Sequence, residues 1–198
     1  LGESPGSTTM TDASGNGHDG TYSAGVTLGG PSAIGGGPDS SAAFAGAEEG
    51  ATTGITAPTS GYTIEAWFRR ADHSDGSIAG QVGGGQLLVR NDQLVLHQTQ
   101  DDVVGPALLD INTWYHVVAT WDGSEASLFV NASPVMVSAT ANVAPSGAGD
   151  FHVGSGDQAP PFIGDIDEVA YYPAAHPGLA SHYLMGLDVT PPTITVTT

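Results

Sequence analysis

The chain has 198 residues, 39% of them hydrophobic, with mean hydropathy close to zero, and no apolar run approaches the roughly 18 residues of a membrane-spanning helix. Three arginines (Arg69, Arg70, Arg90) and no lysine stand against 21 acidic residues, for a net charge of −18. That field repels nucleic-acid phosphates, anionic membranes and sulfated or uronic glycans, and leaves neutral ligands and divalent cations as partners.

Cysteine is absent, which excludes a disulfide framework and any thiolate metal site. No targeting signal is visible, and the opening "LGESPG" reads as a processed start. Glycine (29) and proline (13) are frequent enough to mark turns between many short segments, which points to an all-β chain.

In chain order, "SAAFAG" (41–46) is the first short strand read with its turn boundaries. "YTIEAWFRR" (62–70) alternates, placing Ile64, Ala66 and Phe68 on one face and Glu65, Trp67 and Arg69 on the other. "GSIAGQV" and "QLLVR" follow across "GGG" (83–85), and the turn "ND" (91–92) leads into "QLVLHQ". "TWYHVVATWD" (113–122) and "ASLFVN" (126–131) meet across "DGSE", a hairpin signal, and "PVMVSAT" makes a third antiparallel neighbour. "DFHVGS" (150–155) and "FIGDIDEVAYY" (162–172) complete the strands; "PGLASHYLMG" (177–186) is the one short helix. The Pro191–Pro192 pair then breaks the chain, so residues 1–187 form one domain, while 188–198 hold a linker and "TITVT", the start of a following domain. About a dozen strands with short turns predict a two-sheet antiparallel β-sandwich.

The order "YTIEAWFRR", "WYHVVATWDGSEASLFVNASPV", "FIGDIDEVAYYPAAHPGLASHYL" resembles the laminin-G-like domains of the concanavalin A-like jelly-roll family. The resemblance extends to "DASGNGHDGTY" and "SAAFAG", although the family's usual opening strand is largely missing before Leu1. It implies two curved sheets packed face to face. It implies less about activity, since this fold carries lectins, adhesion modules, spacers and glycosidases.

Oxygen-bearing side chains and glycines alternate in "TDASGNGHDGTY" (11–22). Calcium takes six to eight oxygens, and this loop lacks the spacing and closing glutamate of an EF-hand, so it needs a second contributor. "GDIDEV" offers one: Asp165 and Asp167 alternate on one strand face, with Glu168 pointing oppositely. The resemblance implies that the N-terminal loop lies close to the last strand and that calcium sites are common there. The expected ligands are Asp12, Asn16, the Gly17 carbonyl and Asp167, with Asp165 peripheral. The alternative is an Asx-rich turn beside a solvated acidic strand.

Retaining glycosidases of a related jelly-roll group place glutamates at alternate positions on one strand, with carboxyl groups about 5–5.5 Å apart. Here the alternating residues are aspartates and the next in the row is Val169, so catalysis is not expected. The seven histidines form no His-x-x-x-His or His-Glu-x-x-His pattern, no G-x-S-x-G elbow occurs, and the glycine cluster at 35–38 lacks a phosphate-loop lysine. His116 reads as a strand residue satisfied locally, and "NAS" (131–133), followed by Pro134, reads as a turn rather than a glycosylation site.

For a sugar ligand, Glu65, Trp67 and Arg69 form a candidate platform on one strand face, with His97, Gln98 and Gln100 on a neighbouring stretch. Against this, Trp67, Trp114 and Trp121 all fall in strand motifs that the family uses for its core. The expected role is a non-catalytic, calcium-stabilised carbohydrate-binding module of a larger extracellular protein, taking a neutral glycan or another extracellular protein as partner. The alternative is a structural spacer or adhesion module that binds no sugar.

Overall fold

The computed structural model describes residues 1–35, 39–47, 50–52, 55, 60–99, 101–138 and 149–186. The expected linker and terminal strand segment (188–198), Gln100 and most of the 35–38 glycine cluster lie outside them. In chain order the strands are β1 (Thr9–Met10), β2 (Gly20–Tyr22), β3 (Thr27–Gly30), β4 (Ser41–Ala45), β5 (Gly50–Thr52), β6 (Tyr62–Arg70), β7 (Gly76–Gln81), β8 (Gly85–Arg90), β9 (Gln93–Gln98), β10 (Asp101–Leu108), β11 (Trp114–Trp121), β12 (Ala126–Val130), β13 (Ser133–Ser138), β14 (Phe151–Val153) and β15 (Ile163–Tyr172). A 3₁₀ turn (Pro177–Ser181) then runs into one short helix, α1 (His182–Gly186), as the sequence predicts.

The strands form two antiparallel sheets. Among the described residues, one has eight strands in the order β1-β2-β5-β14-β7-β8-β9-β10; the other has seven, β13-β12-β11-β6-β15-β4-β3. The hairpins follow the turn chemistry of the sequence. Asn91 and Asp92 (φ 51° and 62°) join β8 to β9, and Asn131 and Ala132 (φ 49° and 65°) join β12 to β13. Both central residues are left-handed in each case, which suits the twist of a two-residue hairpin.

The inner faces interlock in one core that includes Ile64, Phe68, Leu87, Leu96, Val117 and Leu128. Trp121 belongs to it, tilted against Tyr62 at 5.8 Å. Gln98 also points inward, and its amide donates to the Tyr62 hydroxyl at 2.7 Å, a polar link between the sheets. At the end of β6 the paired arginines separate. Arg70 is buried and donates to the Leu109 carbonyl (2.9 Å) and to Asp92 (2.8 Å), while Arg69 remains on the outer face.

β6 lies between β11 and β15, and the register stacks two side-chain rows across the outer face of the seven-stranded sheet. One row is Trp114–Arg69–Asp165 and the other, two residues along, is His116–Trp67–Asp167. Beyond Asp167 a bulge at Glu168 (φ 47°) resets the register before Ala170 pairs with Glu65.

Candidate functional site

The second row is closed. Trp67 is 4% exposed, lying between His116 (ring centroids 5.1 Å apart) and Tyr183 of α1 (5.6 Å), with Gly186 over its indole. Beside it the Glu65 carboxylate gathers three donors: Oε1 accepts from His116 Nε2 (2.8 Å) and His182 Nδ1 (2.9 Å), and Oε2 from the Tyr172 hydroxyl (3.2 Å). Burial alone would raise the Glu65 pKa, but the His116 hydrogen bond and the two imidazoles outweigh it and hold the group below the usual glutamate value. This corrects the expected platform. Glu65, Trp67 and Arg69 do share a face, yet the 3₁₀ turn and α1 cover the first two. The helix is legible in the sequence; that it lies on Trp67 is not.

The acidic residues of the last strand have two different environments. Asp165 Oδ2 accepts from Arg69 Nε (3.0 Å) and Nη2 (2.8 Å). Asp167 is fully buried, accepting from the backbone N–H of Ala33 (2.9 Å) and of Glu168 (3.0 Å). Its ligand oxygens, with those of Asp39 and Glu168, lie within 4.8 Å of one another. A hydrogen bond to Asp39, burial and the charges of Asp39 and Asp167 push the Glu168 pKa up to about 7, so this pair shares a proton. Burial likewise raises that of Asp167.

The structure gives the predicted metal ligands separate partners. Asp12 accepts from the backbone N–H of Ser14 (2.8 Å) and His18 (2.9 Å), contacts with the Ser14 side chain and these two N–H groups holding its pKa at about 2. Asn16 N–H donates to Ser14 Oγ (3.2 Å), and Gly15 and Gly17 both take φ 79°, so the loop satisfies itself as an Asx turn. Asp12, Asn16 and Glu168 line one groove of about 610 Å³, floored by Met10, Phe151 and Tyr171, but the described contacts of Asp12 and Asp167 have no residue in common. Asp165 is spent on Arg69. The three carboxylates that do converge include two the sequence reading missed: Asp39 from the glycine-rich arm, and Glu168, which the bulge turns toward Asp167.

On the outer face of the eight-stranded sheet, Gln86, His97 and Asp102 stand in register on β8, β9 and β10. His97 Nδ1 meets Asp102 Oδ1 at 2.7 Å, and Arg90 pairs with Asp102 while donating to the Gln158 carbonyl at 3.1 Å. The Gln86 amide nitrogen donates to Asp157, and its carbonyl oxygen is buried without a partner among the described residues. Leu88 and Val95 are the buried floor of the next row and Val104 its exposed edge. His97 is thus on the outer face of the other sheet and does not join the expected Glu65–Trp67–Arg69 platform. Gln98 is not on that face; period-2 alternation sends it to the core.

The fold is shared with binding domains of other proteins. Domain 4 of AbnA, a GH43 extracellular arabinanase from Geobacillus stearothermophilus solved with arabinotriose, superposes with TM-score 0.69 at 16% identity, covering 87% of this chain and 91% of that one. The binding domain of Paraclostridial Mosquitocidal Protein 1 gives 0.69 at 14% identity, over 88% and 48%. That of botulinum neurotoxin DC, solved with rat synaptotagmin II, gives 0.65 at 12% identity, over 89% and 49%. The chain spans about half the length of the two toxin domains. No curated protein sequence matches it. Residues 45–177 match the family profile Laminin_G_3, and with the two-sheet sandwich in view the chain belongs to this family of the concanavalin A-like lectin/glucanases superfamily.

Proposed function

We propose that the chain is a non-catalytic carbohydrate-binding module of an extracellular protein, with its sugar site on the outer face of the eight-stranded sheet. The observation that carries this is the His97–Asp102–Arg90 cluster on that face, whose side chains are 16%, 31% and 32% exposed and hold one another in place. Polar groups held in fixed orientation by one another recognise hydroxyls at low entropic cost. The arabinanase domain, which binds arabinotriose on the same fold, supports a neutral-sugar ligand.

The acidic strand supports the non-catalytic reading. Asp165 is ion-paired to Arg69 and Asp167 is fully buried, so neither is free to flank a glycosidic bond. Calcium belongs to this proposal at Asp39, Asp167 and Glu168 in place of the Asp12 loop. Three converging carboxylates are a hard-oxygen donor set, and the raised Glu168 pKa reflects crowded negative charge that a cation would relieve. Such an ion would join the glycine-rich arm to the last strand in a chain without disulfides.

Affinity electrophoresis through gels containing arabinan, xylan, mannan or a β-glucan tests the sugar. One polymer is expected to retard the wild type, and His97→Ala to weaken that retardation. Free mobility in all four gels would favour the spacer or adhesion role instead. A melt in calcium and then in excess EDTA tests the ion: a gain of several degrees is expected in calcium, and none in Asp167→Ala.

A further inference from the structure

We infer that the Trp114–Arg69–Asp165 row is a second sugar platform, taking one pyranose unit of a neutral glycan on the face opposite the first site. It shares the reading of the chain as sugar-binding but uses none of the first site's residues. Of the three tryptophans, Trp67 and Trp121 are buried, whereas Trp114 is partly exposed, outside the core, and without an aromatic neighbour among the described residues. Its indole lies beside the Arg69 guanidinium, whose carbon is 5.1 Å from the ring centroid. Arg69 is in turn fixed by Asp165 through two hydrogen bonds to the same oxygen, Oδ2. Side-chain exposures of 28% and 18% leave the pair held yet reachable.

What is unused in this row sets the ligand. Among the described residues, the Trp114 indole N–H, Arg69 Nη1 and Asp165 Oδ1 have no protein partner, which leaves two donors and one acceptor beside an aromatic ring. A pyranose offers the complement: an apolar C–H face for the ring and vicinal hydroxyls that both accept and donate. The row spans two strand spacings, about 10 Å, and the small Ala43 is next in register beyond Asp165. Arg69 and Asp165 cancel each other's charge, and the net charge of −18 disfavours acidic sugars, so the ligand is neutral.

Indole N–H resonances in a ¹H–¹⁵N spectrum test this, the Trp114 signal being assigned by its loss in Trp114→Phe. Cellohexaose, xylohexaose and mannohexaose are the probes. At least one is expected to shift the Trp114 signal in the wild type and in His97→Ala alike, with the shift-derived affinity falling at least tenfold in Asp165→Ala. Binding by gel retardation with an unmoved Trp114 signal would overturn the second platform and leave the first. No response to any probe in either assay would overturn both. Asp165→Ala with an unchanged melting temperature and unchanged affinity would also overturn it.

Discussion

Two rows of side chains, two residues apart on the same sheet face, have nearly the same chemistry: a tryptophan, a nitrogen base and an aspartate each. The His116–Trp67–Asp167 row is turned to structural use, because the helix α1 lies on it and the neighbouring Glu65 collects two histidines and a tyrosine, although His116 Nδ1 is buried without a partner among the described residues. The Trp114–Arg69–Asp165 row lies beyond that cover and keeps hydrogen-bonding capacity. The difference is one of covering rather than composition. A side-chain list on a strand cannot distinguish a latch from a landing place until the element above it is known.

Substitution should separate the rows sharply. Glu65→Ala leaves the fully buried His116 without its acceptor and should cost about 3–5 kcal/mol, and Trp67→Ala, which empties the space beneath α1, a comparable amount. Either should lower the melting temperature by roughly 10 °C. Melts of Trp67→Ala and Trp114→Ala run side by side would expose an error in the assignment of the covered row if the two fell equally.

The carboxylates beside the closed row provide a pH test. The folded pKa of Glu168, about 7, lies above its unfolded value, so its contribution is fully present below the unfolded pKa and is lost as pH rises through 7. Without calcium, the melting temperature should therefore fall by a few degrees between pH 5 and pH 8 relative to Glu168→Gln. Calcium competes with that proton, so its stabilising effect should be larger at pH 8 than at pH 5. Parallel pH curves for the two proteins would remove Glu168 from the cluster.

In the open row the effects should be small. Trp114→Ala and Asp165→Asn each break only a partly exposed contact, and about 1 kcal/mol or less is expected in chemical denaturation. A larger loss in Trp114→Ala would mean that the ring is core-like.

Much of the architecture was legible because turn residues and period-2 alternation are local: "ND" and "NA" turns adopt the left-handed pair that a two-residue hairpin needs, and Ile64 and Phe68 enter the core as their spacing predicts. The site was less legible because its decisive facts are non-local. Alternation puts Glu65 and Trp67 opposite the core, and only the return of the chain through α1 buries them. The bulge at Glu168 reverses the side that alternation assigns to it, bringing it to Asp39. Gln98 follows the period faithfully into the interior, where the Tyr62 hydroxyl makes a polar residue tolerable.

The placement of β6 at the centre of its sheet bears on synthesis. Arg69 waits 96 residues for Asp165, and Glu65 waits 117 for His182. At about 5–20 residues per second on the ribosome, that is an interval of roughly 5–20 s in which β6 has been made without β15 or the helix that covers it. Both faces of this nascent strand are sticky in that window, Ile64 and Phe68 on one and Trp67 on the other. The domain closes only once its last strand and helix have been made, and a holding chaperone would find its target in "YTIEAWF".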